Sequence, residues 1–118
     1  MNVPLLDLKA QFQPLRAEIM AEVQAVCDEQ GFFLGPRVVA FEGSIARYIG
    51  SRYAIGCASG SDALLLSLMA MGVMAGDEVI TIPFTFFATA STISRLGAKP
   101  VFVDILPDTF NIDPELIE

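Results

Sequence analysis

The run Cys57-Ala58-Ser59-Gly60-Ser61-Asp62-Ala63-Leu64 follows the short strand-like segment Tyr53 to Gly56 and opens an apolar stretch with helical character. It reads as a strand, a tight turn and a helix N-terminus. The first amides of a helix have no acceptor within the helix, and the summed peptide dipoles place positive charge at the same end. A turn of this kind seats an anion, usually a phosphate or a carboxylate, and the candidate seat is Gly60-Ser61. Ser59 and Ser61 are also ordinary N-cap residues, so capping without a ligand explains the same letters and both roles stay open at this point. Two other phosphate loops are excluded. There is no G-x-x-x-x-G-K-[ST], and Gly56 and Gly60 do not form G-x-G-x-x-G, so a P-loop NTPase and a dinucleotide-binding Rossmann unit are disfavoured.

Upstream of this run the periodicity is helical. Pro14 suits a first helical position, and Leu15, Ile19, Met20, Val23, Val26 and Cys27 then recur on one face against Arg16, Glu18, Glu22, Gln24 and Glu29, which predicts an amphipathic helix ending near Gly31. After a turn over Gly31 to Pro36, Val38, Phe41, Ile45, Tyr48 and Ile49 fit one face of a second helix, with Gly50 as its stop. Downstream the pattern alternates. Arg52 to Cys57 reads as strand, Ser61 to Met71 as helix, Glu78 to Ile82 as strand, about Phe86 to Leu96 as helix and Pro100 to Asp104 as strand. This βαβαβ order predicts a parallel sheet, with Gly72, Gly76-Asp77 and Gly97 at the connections. The helix from Ser61 is apolar nearly all round, as expected where both of its sides are covered. The organisation expected is a helical segment over residues 1–50 and an α/β unit over 51–118.

Composition narrows the function. A mean hydropathy of +0.56 and 53% hydrophobic residues exceed what a free-standing domain of 118 residues usually carries, which predicts apolar surface that needs a partner. The apolar stretch Ala63 to Gly76 is interrupted by Ser67 and is shorter than the roughly 20 residues of a membrane-spanning helix. Met1-Asn2-Val3-Pro4 has no basic segment and Asp7 interrupts the early apolar residues, so no signal peptide is read and a cytoplasmic protein is the expectation. A net charge of −7 argues against binding nucleic acid or an anionic membrane, so an anion site has to be local. Histidine is absent, which removes Ser-His-Asp, Cys-His and most zinc sites. Cys27 and Cys57 fit no metal-ligand spacing and are expected to be small buried hydrophobes. At the other end, Asp113 as N-cap, Pro114 at the first helical position and Glu115 in the first turn predict a new helix beginning near Glu118, so the chain is expected to be the N-terminal part of a longer protein.

The segments Gly35-Pro36, Phe41-Glu42, Ser59-Gly60-Ser61-Asp62-Ala63-Leu64, Gly76-Asp77-Glu78-Val79-Ile80, Thr85-Phe86-Phe87-Ala88-Thr89 and Gly97-Ala98-Lys99-Pro100-Val101-Phe102-Val103-Asp104 together resemble the sugar aminotransferases of the DegT/StrS group. The resemblance runs over essentially the whole chain, in order. It implies the N-terminal part of a fold type I large domain, an α/β/α architecture with a mostly parallel sheet preceded by two amphipathic helices. It also implies pyridoxal phosphate as cofactor and a homodimer with active sites near the subunit interface. The family's phosphate-binding turn falls on Gly60, Ser61 and Asp62, with Ser61 standing where threonine is common. Phe86 matches the aromatic that lies against the pyridine ring, where a flat apolar face fixes the ring's orientation. Of Phe84, Phe86 and Phe87, one is expected on the cofactor and two in packing. Asp104 is expected to make a strand-end hydrogen bond.

Pyridoxal chemistry needs a lysine amine and a carboxylate beside the pyridine nitrogen. Lys9 and Lys99 stand outside the matching context and read as surface residues, and the resemblance places both catalytic groups after residue 118. The chain alone is therefore expected to be inactive, while the enzyme it belongs to would move an amino group from an amino acid, glutamate or glutamine, to a nucleotide-linked keto sugar. Two alternatives stand beside this: a dehydratase of the same family with histidine in place of the lysine, and a non-catalytic dimerisation or folding module whose sheet edge and apolar helices bind a partner.

Overall fold

The computed structural model describes residues 5–117, and the chain parts between Gly56 and Cys57 into two compact units. The first unit consists of two helices, α1 (Leu8–Glu29) and α2 (Pro36–Ile49). Helix α1 starts earlier than Pro14 because Asp7 caps it: the Asp7 carboxylate accepts the Ala10 amide at 3.0 Å. Leu8, Lys9, Ala10 and Gln11 are strong helix formers, so the first turns form ahead of Pro14. Pro14 therefore lies inside the helix, where it has no N–H to return to the Ala10 carbonyl. The helix ends on Gln30 in the left-handed conformation, with the Gly31 amide reaching back to the Val26 carbonyl. Its apolar stripe of Phe12, Leu15, Ile19, Met20 and Val23 remains 40–51% exposed, so nothing among the described residues covers it.

The turn into α2 is tight enough to require a glycine. A Cβ on Gly35 would stand 2.6 Å from the Gly31 carbonyl oxygen. Pro36 then occupies the first helical position, and Gly50, at a φ of 72°, closes the helix as expected. The Arg37 guanidinium binds Glu22 and, at 3.3 Å, Glu29, which ties the two helices together. Of the apolar face predicted for α2, Val38 and Ile45 are half-buried around the buried Ala46, whereas Phe41, Tyr48 and Ile49 are exposed.

The segment 52–57 is not a strand. It leads toward the next helix without a ladder partner among the described residues, and a strand exists only by pairing with a second backbone. The two cysteines also depart from expectation: Cys27 and Cys57 are both exposed and free. Cys27 lies on a helix that buries no residue, and Cys57 belongs to the unpaired segment.

The second unit holds α3 (Gly60–Ala70), β1 (Glu78–Thr81), α4 (Ala88–Arg95), β2 (Lys99–Phe102) and a single 3-10 turn, Pro114–Leu116. Strands β1 and β2 are parallel in the register Glu78↔Lys99 through Thr81↔Phe102, joined by α4 as the crossover. Helix α4 packs on both strands and on α3. Its inner face supplies most of the core. Ala88, Thr92 and Ile93 are buried there, with Ala98 at the entry to β2. Thr92 is the most enclosed side chain, and its hydroxyl avoids a burial penalty by donating to the Ala88 carbonyl at 2.9 Å. Across the sheet entrance, Lys99 Nζ meets Glu78 Oε1 at 2.7 Å. That hydrogen bond, then the charge of Glu78, raises the Lys99 amine above its ordinary value, but both groups are exposed and screened, so the pair adds little stability.

Helix α3 shows how far the apolar content outruns what this chain can cover. None of its residues is buried, and Leu64, Leu66 and Met69 remain exposed, so the two-sided coverage expected of it is not met within these residues. The βαβαβ order is correspondingly reduced to one βαβ unit preceded by a helix. At the end of the chain the Asp113 carboxylate accepts the Glu115 amide at 3.0 Å and Pro114 opens the 3-10 turn, as the sequence predicts.

Candidate anion-binding turn and the family of the chain

Helix α3 begins at Gly60, and the residue that caps it is Ser59 rather than Ser61. Ser59 is extended, at φ −161° and ψ 166°, and its hydroxyl oxygen accepts the Asp62 amide at 3.1 Å. The same hydroxyl donates to Asp62 Oδ2 at 3.0 Å, so the carboxylate is turned back onto the cap. The Ser59 carbonyl accepts the Ala63 amide at 2.9 Å, closing the first turn. This arrangement divides the three predicted residues. Asp62 spends its amide and one carboxylate oxygen in ordering the turn, while among the described residues the Gly60 and Ser61 amides have no acceptor. The Ser61 hydroxyl likewise has no partner there.

The space around the turn suits a ligand. A Cβ built on Gly60 meets nothing within 4 Å among the described residues, so the Cα side of the first helical residue is open. Two parallel N–H donors, one hydroxyl and the positive end of an 11-residue helix are the donor set that a phosphate takes. Cys57 contributes only a weak contact, its thiol donating to the Ser59 carbonyl at 3.5 Å.

Phe86 lies on the connection that follows β1, two residues before α4, and is 77% exposed. The connection is ordered by its hydroxyls and backbone: Thr85 and Thr89 share a hydrogen bond of 2.9 Å, and the Phe86 carbonyl accepts the Thr89 amide at 3.0 Å. Phe84 is committed elsewhere, stacked on Phe110 with ring centroids 5.7 Å apart. Phe87 is as exposed as Phe86, and among the described residues Phe84 is the one of the three rings that stacks on another. Asp104, just past the end of β2, accepts the Ile105 amide at 2.8 Å on its carboxylate, the strand-end role expected of it. An apolar cleft of about 230 Å³ between α3, α4 and β1, lined by Leu64, Leu68, Val79, Thr92 and Ile93, includes none of Gly60, Ser61, Asp62 or Phe86.

One functional-looking contact has no assigned role in the sequence reading. Glu42 of α2 places Oε1 2.6 Å from the Gly56 amide. The signal available was an acidic residue in mid-helix between the half-buried Val38 and Ile45, on the inner face rather than the wet one.

With this geometry in view, comparisons with other proteins are informative. A protein of Geobacillus stearothermophilus described as a pleiotropic regulatory protein is 54% identical over 118 residues, all of this chain and 32% of the relative. The UDP-2-acetamido-2-deoxy-3-oxo-D-glucuronate aminotransferase of Pseudomonas aeruginosa is 47% identical over 116 residues, which is 98% of this chain and 32% of that enzyme. The crystal structure of ntda from Bacillus subtilis with bound cofactor PMP superposes with a TM-score of 0.92 at 35% identity, over 98% of this chain and 27% of that one. This likeness bears out the α/β fold class expected from the resemblance. The chain thus spans about a third of the length of the curated relatives it matches. Residues 13–118 match a single family description across nearly the whole chain, and the chain belongs to the DegT/DnrJ/EryC1/StrS aminotransferase family.

Proposed function

We propose that the complete protein is a pyridoxal phosphate-dependent aminotransferase that moves an amino group from an amino acid, glutamate or glutamine, to a nucleotide-linked keto sugar. It acts as a cytoplasmic homodimer, in which residues 1–50 form a helical lead-in and 51–118 begin the cofactor-binding part. The observation that carries the reading is the turn at Gly60 and Ser61, whose two amides lack an acceptor among the described residues, in a chain of this family. The sugar substrate is supported by the name of the Pseudomonas aeruginosa relative, and the cofactor by the PMP bound in the Bacillus subtilis structure.

In this reading the Gly60 and Ser61 amides and the Ser61 hydroxyl hold the cofactor phosphate. Asp62 belongs to the same site by keeping the turn ordered through Ser59. Phe86 lies against the pyridine ring and fixes its plane. When bound, the cofactor supplies an electron sink for the carbon that carries the amino group. The residues of this chain bind and orient. Lys9 is exposed on α1 and Lys99 is paired with Glu78, so neither is the reactive amine, and the 118 residues by themselves are inactive.

Replacing Phe86 by alanine is expected to weaken cofactor binding by about tenfold, the upper end of what one aromatic stacking contact contributes, while Phe86→Tyr stays near wild type. Titration of the complete protein followed by visible absorbance measures both. The functional reading is tested by expressing the complete reading frame, recording the visible band of lysine-bound cofactor, and assaying amino transfer from glutamate and glutamine to nucleotide-linked keto sugars. Absence of the band together with no retention of pyridoxal phosphate on the purified protein overturns the cofactor assignment. Loss of water from the sugar without amino transfer assigns the dehydratase reading instead.

A further inference from the structure

We propose that Phe110 is a positioning residue for Phe86, acting through its stack on Phe84; this rests on the reading that Phe86 lies against the pyridine ring of the cofactor. Phe110 has a φ of 58°, in the left-handed region that suits glycine and asparagine and that a bulky side chain resists. The loop around it, which follows β2, is closed by its own backbone. The Phe110 amide donates to the Leu106 carbonyl at 2.9 Å, the Leu106 amide to the Asn111 carbonyl at 2.9 Å and the Asp113 amide to the Asp104 carbonyl at 3.0 Å, with Ile105 and Ile112 paired as an antiparallel bridge. An aromatic ring thus stands where the local geometry favours glycine. That ring is used on Phe84, with centroids 5.7 Å apart and planes 29° from parallel. Both rings stay more than half exposed, so the stack adds little to the core and its effect is on placement.

Phe84 and Phe86 share the connection between β1 and α4 and are separated only by Thr85. Thr85 is itself fixed twice: its amide donates to the Pro83 carbonyl at 3.0 Å, and its hydroxyl shares the 2.9 Å hydrogen bond with Thr89. Two residues span at most about 7 Å of extended chain, so with the middle residue held a displacement of Phe84 is passed to Phe86 rather than absorbed. The hydrogen bonds of the connection are local to it and to the first turn of α4. The stack on Phe110 is what ties it to the loop beyond β2.

The test uses the complete protein. Wild type, Phe110→Gly, Phe110→Tyr, Phe86→Ala and the double variant of Phe110→Gly with Phe86→Ala are titrated with pyridoxal phosphate, the visible circular dichroism of the bound cofactor is recorded, and each apo protein is unfolded in urea. Glycine suits a φ of 58°, so Phe110→Gly removes the ring and leaves the loop closed. It is expected to weaken pyridoxal phosphate binding by about fivefold and to change the dichroism, with the urea midpoint near that of wild type. In the Phe86→Ala background the same substitution is expected to cost less than about twofold, because residues that act through one another are not additive. Phe110→Tyr keeps a stacking ring and is expected to match wild type in affinity and dichroism. Equal losses in the two backgrounds, or an unchanged affinity in Phe110→Gly, assign Phe110 to its own loop alone and overturn the proposal. Phe86→Ala with wild-type affinity overturns the reading of Phe86 itself, a separate failure visible in that single variant.

Discussion

Ser61→Asp in the complete protein is expected to lower its affinity for pyridoxal phosphate by more than about a hundredfold without harming the fold. The new carboxylate would stand at the second position of α3, beside the two free amides. Two like charges about 4 Å apart at an effective dielectric near 20 repel by about 4 kcal/mol, which exceeds the roughly 2.8 kcal/mol that a hundredfold change requires. An acidic residue in the first turn of a helix is, by contrast, favourable by about 0.3–1 kcal/mol in the absence of ligand. The two effects have opposite signs, and that separates the readings. If the turn is only a cap, urea unfolding shows a slightly more stable protein and cofactor binding is unchanged. If it seats the phosphate, binding collapses while stability holds or rises. Ser61→Ala, which removes one hydroxyl and leaves the amides, is expected to cost about three- to tenfold in affinity.

Gly97→Val is expected to destabilise the protein by about 3 kcal/mol or more, read as a fall in the urea midpoint at unchanged slope. Gly97 has a φ of 75°, a left-handed conformation that a β-branched residue resists by about 1–2 kcal/mol. Space is short as well. A Cβ there would lie 2.9 Å from the Ala75 Cβ and 3.3 Å from its Cα, and overpacking of this kind adds about 1–3 kcal/mol. The Gly97 carbonyl also accepts the Gly76 amide at 3.3 Å, so a shift of the turn disturbs the entries to both strands. Gly97→Ala combined with Ala75→Gly is expected to recover the steric share and leave the conformational one, which distinguishes the two causes.

What the sequence made legible was whatever local chemistry decides. Pro36 and Gly50 bound α2, and Asp113 with Pro114 starts the last turn, because capping acts within a few residues; α3 was legible to within one residue, beginning at Gly60 where Ser61 was expected. Strands β1 and β2 were also legible, shifted by a residue or two from 78–82 and 100–104, because each is a short apolar run bounded by turn residues. Helix α4 begins at Ala88 instead of Phe86, since Pro83 to Phe87 form the connection that carries the exposed rings. The start of α1 was misplaced because a proline at a permitted position was weighed above the Asp7 cap seven residues earlier.

Features that depend on a partner backbone or a distant side chain were not legible. Tyr53 to Gly56 has strand-forming residues, but strand formation needs a second strand, which the described residues do not supply. The same lack of covering surface leaves Cys57 and, on α3, Leu64 and Leu66 exposed. At the candidate site, the turn itself could be read, because amides at a helix start and a glycine beside two serines carry their chemistry locally. Which serine caps the helix could not be read, since Ser59 and Ser61 are equally suited until the backbone places Ser59 at φ −161°. The contact of Glu42 with Gly56 joins residues fourteen apart and has no periodic signature.

The most direct measurement is a crystal structure of the complete protein soaked with pyridoxal phosphate. Phosphate oxygens within about 3 Å of the Gly60 and Ser61 nitrogens, with the ring against Phe86, are the expected result. Phosphate density bound at other residues, with those two amides facing only water, would contradict it.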